Sequence, residues 1–305
     1  MIRKILKWIG IVLGSLIGLL VLAFVILYVI GTVKWNRVRE KDYDVPVQTI
    51  TIPTDQASIA RGQHIATIRM CRYCHTEDLS GQSDEVPGLI TLSFPNLTSG
   101  AGGVGVANTD DDWVRAIRHG EGHDGRGLIL MPSRVWYYLS DEDLADLIAY
   151  LKSLPPVDNE LPTTTLGPLG RVMLVLGQIP SEATQPDVIV IDHDGQRPVA
   201  PGPGVTVEYG EYLTRTCALC HGPNFNGQTI SEGGPDYLAP NLTPGGELHA
   251  WSEEDFITTL RTGVTPNGNK LKDVMPWKYF GQMTDDELKA VWMYLQSLPA
   301  LEQGK

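Results

Sequence analysis

Hydrophobic positions fall into two regimes along this chain. From Trp8 to Val33 there are 26 residues without a charge, dominated by Leu, Ile and Val. As a helix rising about 1.5 Å per residue they extend roughly 39 Å, enough to cross a hydrocarbon core of about 30 Å with some tilt. A cleavable leader has an apolar region of only about 7–15 residues followed by a small-residue cleavage site. The stretch Tyr28-Val-Ile-Gly-Thr-Val-Lys-Trp35 has no such site, so a retained anchor is expected. Gly10, Gly14 and Gly18 repeat at four-residue spacing, the pattern that lets membrane helices approach closely and pair with another helix, although Gly is common in such helices anyway. Beyond the anchor the apolar period becomes that of amphipathic helices. Leu144, Leu147, Ile148 and Leu151 share one face, Ser140 and Asp143 are spaced as a cap and the third helical residue, and Pro155 closes the element. Thr284 and Glu287 repeat that start, while Thr109 and Ser252 open helices whose acidic first turns suit the helix dipole. The expected fold class is all-α.

The second regime is stated twice, at an offset of about 145 residues. Cys71-Arg-Tyr-Cys-His75 returns as Cys217-Ala-Leu-Cys-His221, and Pro95-Asn-Leu-Thr98 as Pro240-Asn-Leu-Thr243. Asp112-Trp…Arg-His-Gly120 parallels Asp255-Phe…Arg-Thr-Gly263, Met131-Pro132 parallels Met275-Pro276, and the helices ending at Pro155 and Pro299 correspond. A duplicated domain follows, organised as an anchor segment (1–44), domain 1 (45–155), a Pro/Gly-rich linker (156–205) and domain 2 (206–305). Within the linker, Leu166 to Ile179 is apolar but too short to span a membrane, and is expected to pack against a domain.

Charge narrows the function. The net −12 and pI near 5.0 exclude a typical nucleic-acid binder. Residues 1–44 hold seven Lys or Arg against three Asp or Glu, so the remainder carries −16. Basic residues flank both ends of the anchor, so charge alone assigns no orientation.

All four cysteines lie in the two Cys-x-x-Cys-His motifs, the pattern of covalent c-type haem attachment. Thiols three residues apart on one helical turn reach two vinyl groups of one porphyrin, and the adjacent His is aimed at the iron. Zinc ribbons pair their Cys-x-x-Cys units over about 15–20 residues, far less than the gap from Cys74 to Cys217, and a thioredoxin-type dithiol expects a βαβ context.

With these motifs in view, each half resembles a class I cytochrome c domain. The pair resembles a membrane-anchored dihaem cytochrome c, similar to cytochrome subunits of bacterial membrane-bound alcohol and sugar dehydrogenases, over about residues 56–155 and 206–300. The resemblance implies a helix carrying Gly62 or Gly210 crossing the terminal helix that carries Tyr150 or Tyr294. It also implies haem attachment outside the cytoplasm, hence an amino terminus inside, a single inner-membrane span and periplasmic haem domains. The sequons at Asn96 and Asn241 then read as loop sequence.

Among the methionines, Met131 and Met275 coincide in the two copies, lie 56 and 54 residues after His75 and His221, and precede Pro. They are the expected sixth ligands. Met283 and Met293 are expected in the core. His119 and His123 read as an exposed loop, and His64, His193 and His249 carry no site pattern. Cofactor contacts are therefore assigned to Cys71, Cys74, His75, Met131, Cys217, Cys220, His221 and Met275, with two haem c groups. The expected function is electron transfer without catalysis of its own, from a quinol-oxidising complex or dehydrogenase to an oxidase or soluble carrier. A dihaem peroxidase is the alternative, and it requires an iron face open to substrate.

Overall fold

The uncharged run forms the body of a single helix, α1 (Ile2–Arg39), whose side chains from Ile2 to Ile26 are all exposed. Gly10, Gly14 and Gly18 meet nothing within 4 Å. The computed structural model describes residues 2–179, 184–195, 199–230 and 236–304; residues 180–183 and 196–198 of the expected linker and 231–235 of the second half lie outside the described residues.

The first half continues with α2 (Gln56–Ile68), the single turn α3 (Cys71–His75), strands β1 (Gln82–Val86) and β2 (Ile90–Phe94), and α4 (Asp110–Val114), which runs on as a π turn over Arg115–His119. It closes with α5 (Ser133–Trp136) and α6 (Asp141–Ser153). The linker contributes β3 (Thr165–Leu166) and α7 (Pro168–Val175). The second half repeats the order with α8 (Val207–Thr214), α9 (Ala218–His221), β4 (Thr229–Ile230), β5 (Tyr237–Leu238), α10 (Glu253–Thr262), α11 (Trp277–Phe280) and α12 (Asp285–Ser297).

The caps are those the spacing predicts. Ser140 Oγ accepts from Asp143 N at 3.1 Å, and Thr109, Ser252 and Thr284 each form a reciprocal box with the acid three residues on. Each such cap contributes on the order of 1 kcal/mol. The helix crossing is also present in both halves. A Cβ on Gly62 would stand 1.9 Å from the Asp146 carbonyl oxygen on α6, and one on Gly210 1.9 Å from that of Ala290 on α12. Only glycine lets the backbones approach this closely.

Among the described residues, five short strands depart from an all-α reading. β1 and β2 form an antiparallel hairpin about Pro87-Gly88, β3 adds to the β2 edge, and β4 pairs with β5. Val86, Ile90, Thr91 and Phe94 favour extended backbone, and Gly88, at φ +74°, supplies the left-handed turn conformation.

The halves share one connected apolar core and a buried polar seam. Arg69, 4% exposed, donates to the carbonyls of Leu213 (2.9 Å) and Tyr212 (3.2 Å) and to Thr216 Oγ1 (3.3 Å). Tyr212 donates to Asp143 at 2.5 Å, His64 Nε2 lies 2.9 Å from both Glu287 oxygens, and Tyr279 donates to Glu77 at 2.9 Å. Linker residues are laid on the first half as the chain end is laid on the second. Val157 and Leu301 offer their carbonyls to Asn96 and Asn241, each at 2.7 Å.

Candidate cofactor sites

In the first half, Met70 takes a left-handed conformation (φ 65°) that ends one helix and starts the next turn. That turn sets Cys71 and Cys74 three residues apart, neighbours on one face, with His75 following. His75 is 7% exposed, and its Nδ1 donates to the Pro95 carbonyl at 2.8 Å. Because a carbonyl can only accept, the proton sits on Nδ1 and Nε2 keeps its lone pair for a metal. Burial holds the ring's pKa below the ordinary 6.5, against the opposing pull of the Pro95 bond, so the ligating neutral form prevails. Burial, with Cys74 close by, pushes the Cys71 thiol up to about 12; burial does the same to Cys217.

The carbonyl that orients His75 is held by its neighbour. Asn96, fully buried, accepts from Thr98 N (2.9 Å) and Oγ1 (2.8 Å) while donating to Val157. Asn241 does the same with Thr243 at 2.8 and 2.7 Å. The Pro-Asn-Leu-Thr loop is thus an internal bracket, and both sequon asparagines are buried.

Cys71, Cys74, His75 and Met131 line one apolar cleft, walled by Trp113, Ile117, Leu128, Trp136, Leu147 and Leu151 among others. Leu130, at φ 69°, turns the chain into Met131-Pro132. Three polar atoms of the wall, Asn108 Oδ1, Trp113 Nε1 and Trp136 Nε1, are buried without a hydrogen-bond partner. Leaving a buried donor unbonded costs on the order of 1–3 kcal/mol. A flat apolar guest bearing carboxylates would satisfy both indoles, so thiols, imidazole, thioether, walls and donors together fit a haem.

The second half carries the same residue types at the matching positions. His221, 5% exposed, donates from Nδ1 to the Pro240 carbonyl at 2.8 Å, and burial lowers its pKa likewise. Met275 and Cys217 pack against the shared core. Its wall differs: Trp251, Phe256, Thr259 and Phe280 hold the positions of Asn108, Trp113, Ala116 and Trp136.

Several single residues depart from expectation. His119 is buried, not in an exposed loop, and its Nδ1 lies 2.9 Å from that of His193, whose Nε2 donates to the Val188 carbonyl. The linker covers that loop, a contact no local pattern announces. His64 is engaged by Glu287. Met283 is core, but Met293 is 39% exposed where the matching Ala149 is buried. The residues missed altogether were Arg69, Asn108 and the two indoles; Trp113 alone had a signal, inside the repeated Asp-Trp/Phe motif.

Comparison with known proteins agrees with this geometry. The sequence model of the cytochrome c family matches residues 59–155 and 207–299. The chain is 30% identical to the cytochrome c subunit of the quinone-dependent alcohol dehydrogenase of Gluconacetobacter polyoxogenes, over 82% of this chain and 58% of that protein. It is 29% identical to the fructose dehydrogenase cytochrome subunit of Gluconobacter japonicus (84% and 55%) and 30% identical to a dihaem c-type cytochrome of Cereibacter sphaeroides (82% and 88%). It therefore spans little more than half the length of the two dehydrogenase subunits. With a match in each half, the chain belongs to the cytochrome c family of haem electron-transfer proteins.

Proposed function

We propose that this chain is a membrane-anchored dihaem electron carrier or complex subunit, with one haem c on Cys71 and Cys74 and a second on Cys217 and Cys220. The observation that carries the reading is the single apolar cleft shared by Cys71, Cys74, His75 and Met131. When bound, haem supplies one-electron chemistry at its iron. The chain's own part would be to hold His75 and His221 neutral and oriented by Pro95 and Pro240, to offer Met131 and Met275 as further donors, and to exclude water. A thioether donor raises the potential and closes the sixth position, which supports electron transfer over peroxide chemistry.

The two attachment motifs begin at the same seam, where Arg69 reaches Thr216, one residue before Cys217. That closeness supports transfer between the two halves. The anchor α1 holds them at the outer face of the inner membrane, amino terminus inside, and the unpartnered Gly10/Gly14/Gly18 face is offered to another membrane helix. A dehydrogenase or quinol-oxidising complex is the donor, and an oxidase or soluble carrier the acceptor. The −16 beyond the anchor steers a basic partner in. The test is a reduced-minus-oxidised spectrum, redox titration and intact mass of the purified protein. Two haem additions are expected, one lost on changing Cys71 and Cys74 to Ala and the other on changing Cys217 and Cys220. Retention of both haems in either variant, or fast carbon monoxide binding by the ferrous protein, would overturn the reading.

A further inference from the structure

The apolar linker stretch Leu166–Ile179 has no part in either cofactor site. It packs on the anchor. A Cβ on Gly31 would stand 2.1 Å from the Arg171 carbonyl oxygen, so the backbones of α1 and α7 touch. One turn on, Trp35 is 1% exposed and buried with Leu166 and Leu174.

That contact fixes a depth. Gly31 lies two residues inside Val33, the end of the uncharged run, about 3 Å further in at helical rise. If α1 crosses the bilayer, α7 is carried to the boundary between headgroups and acyl chains. Arg171 is prepared for such a place. Its Nε donates to the Leu166 carbonyl (2.9 Å), its Nη1 to Thr32 Oγ1 (3.1 Å) and the Tyr28 hydroxyl (3.3 Å), and its guanidinium lies over the Tyr28 ring at 5.5 Å. Tyr28 and Thr32 are two of the three hydroxyl residues in the run, the other being Ser15. A cation at that depth must be bonded within the protein or reach the headgroups. Large apolar side chains stand exposed on the surface turned outward. Leu169 is 49% exposed and Leu176 56%, and the neighbouring hairpin, whose Gly88 carbonyl accepts from Leu169 N at 2.9 Å, exposes Val86 at 52%.

We infer that α7 is a second membrane-contacting element, an interfacial helix locked to the anchor by Gly31 and Arg171, with Leu169, Leu176 and Val86 set into the phospholipid surface. The occupant of this face is lipid, because the face is continuous with the anchor at the anchor's own depth. The inference rests on the reading of α1 as a membrane span.

The test uses the full-length holoprotein, whose four native cysteines are consumed by thioethers. Single variants Leu169→Cys, Leu176→Cys, Val29→Cys and Val199→Cys are spin-labelled and reconstituted in phosphatidylethanolamine–phosphatidylglycerol vesicles. Collision with lipid-soluble oxygen is compared with collision with a water-soluble nickel chelate. The expected oxygen-to-nickel ratio at 169 and 176 is several-fold above that at 199 and approaches that at 29. Ratios at 169 and 176 equal to that at 199, or protection from both reagents as under a second copy of the chain, overturn the inference while a lipid-facing 29 leaves the anchor standing. An aqueous 29 overturns the anchor and this inference with it.

Discussion

Trp113 and Trp136 wall the first cleft, whereas Phe256 and Phe280 stand at those positions in the second half. Arg118 is buried and bonded to Asp141 and the Leu139 carbonyl, whereas its counterpart Arg261 reaches Asp285 from a half-exposed position. The π turn Arg115–His119 in one copy is plain α-helix in α10 of the other. After the ligand histidine, Thr76 adopts φ 70°, ψ 168°, a region fitted to glycine, and Gly222 adopts φ 79°, ψ 163°. What the halves share is the frame around the candidate ligands: the Cys-x-x-Cys-His turn, the His–Pro carbonyl bond, the Asn bracket, the glycine crossing and Met-Pro. What differs is hydrogen bonding, strain and burial around that frame, the levers that set a potential without altering the ligand set.

The strongest way to break the equivalence is at the crossings. Gly62→Ala and Gly210→Ala each drive a methyl into a carbonyl and should cost about 3 kcal/mol. Denaturant midpoints of the holoprotein would measure this, and a loss in one variant only would mean that the crossings are not equivalent supports. Ligand exchange sharpens the comparison next. Met131→His and Met275→His should each lower one potential by tenths of a volt, against the roughly 0.8 V that axial ligands span. Spectroelectrochemistry would then assign each wave to its half, and movement of both waves together would contradict independent sites.

Trp113→Phe makes the first wall resemble the second. If its indole bonds a haem carboxylate, that half should lose about 1–2 kcal/mol of stability and shift its potential, while Phe256→Trp moves the second half the other way. Unchanged potentials in both would separate the indole from the cofactor. Thr76→Gly should stabilise the first half by about 1 kcal/mol, the relieved backbone outweighing the lost bond from its hydroxyl to Asp78 at 2.8 Å, and Gly222→Thr should destabilise the second. The seam gives the smallest effect. Burial raises the Glu287 pKa, but the bonds from His64 and Thr284 outweigh it and leave it below 4.5. Its stabilisation is full above 4.5 and is lost as pH falls through the lower folded value. Glu287→Gln should therefore cost about 1 kcal/mol near neutrality, shrinking to nothing in acid, and a pH-independent cost would remove the carboxylate's charge from the account.

The cofactor chemistry was legible because it is local. Cys71 to His75 is one helical turn, so its spacing is written in five letters, and the second copy at Cys217 removes chance. Met131 and Met275 lie more than fifty residues from their histidines, and only the duplication singles them out. The glycine crossings came through family resemblance, since Gly62 carries no local pattern of its own. The hairpin at Pro87-Gly88 escaped because β1 is exposed along its whole length, leaving no buried-exposed alternation. The seam escaped for a different reason: Arg69 and Leu213 are 144 residues apart, and a buried arginine bonded to carbonyls selects no partner residue type. The same holds for His119 with His193, where an apparently exposed loop is covered by the linker.

The contact of Gly31 with Arg171 closes the intervening 139 residues, the whole first domain among them, into a ring fastened at both ends to one helix. A ring of this kind cannot swing as a ball on a tether. Its reach is set by the fastening and not by chain length, so the first domain is held at a fixed distance from α1. The second domain is held to the first by the seam and the shared apolar core. A single protease cut inside the ring leaves both fragments attached to the anchor through packing, whereas a cut between α7 and α8 leaves the shared apolar core and the Arg69, Asp143, Glu287 and Tyr279 contacts to hold the second domain in place.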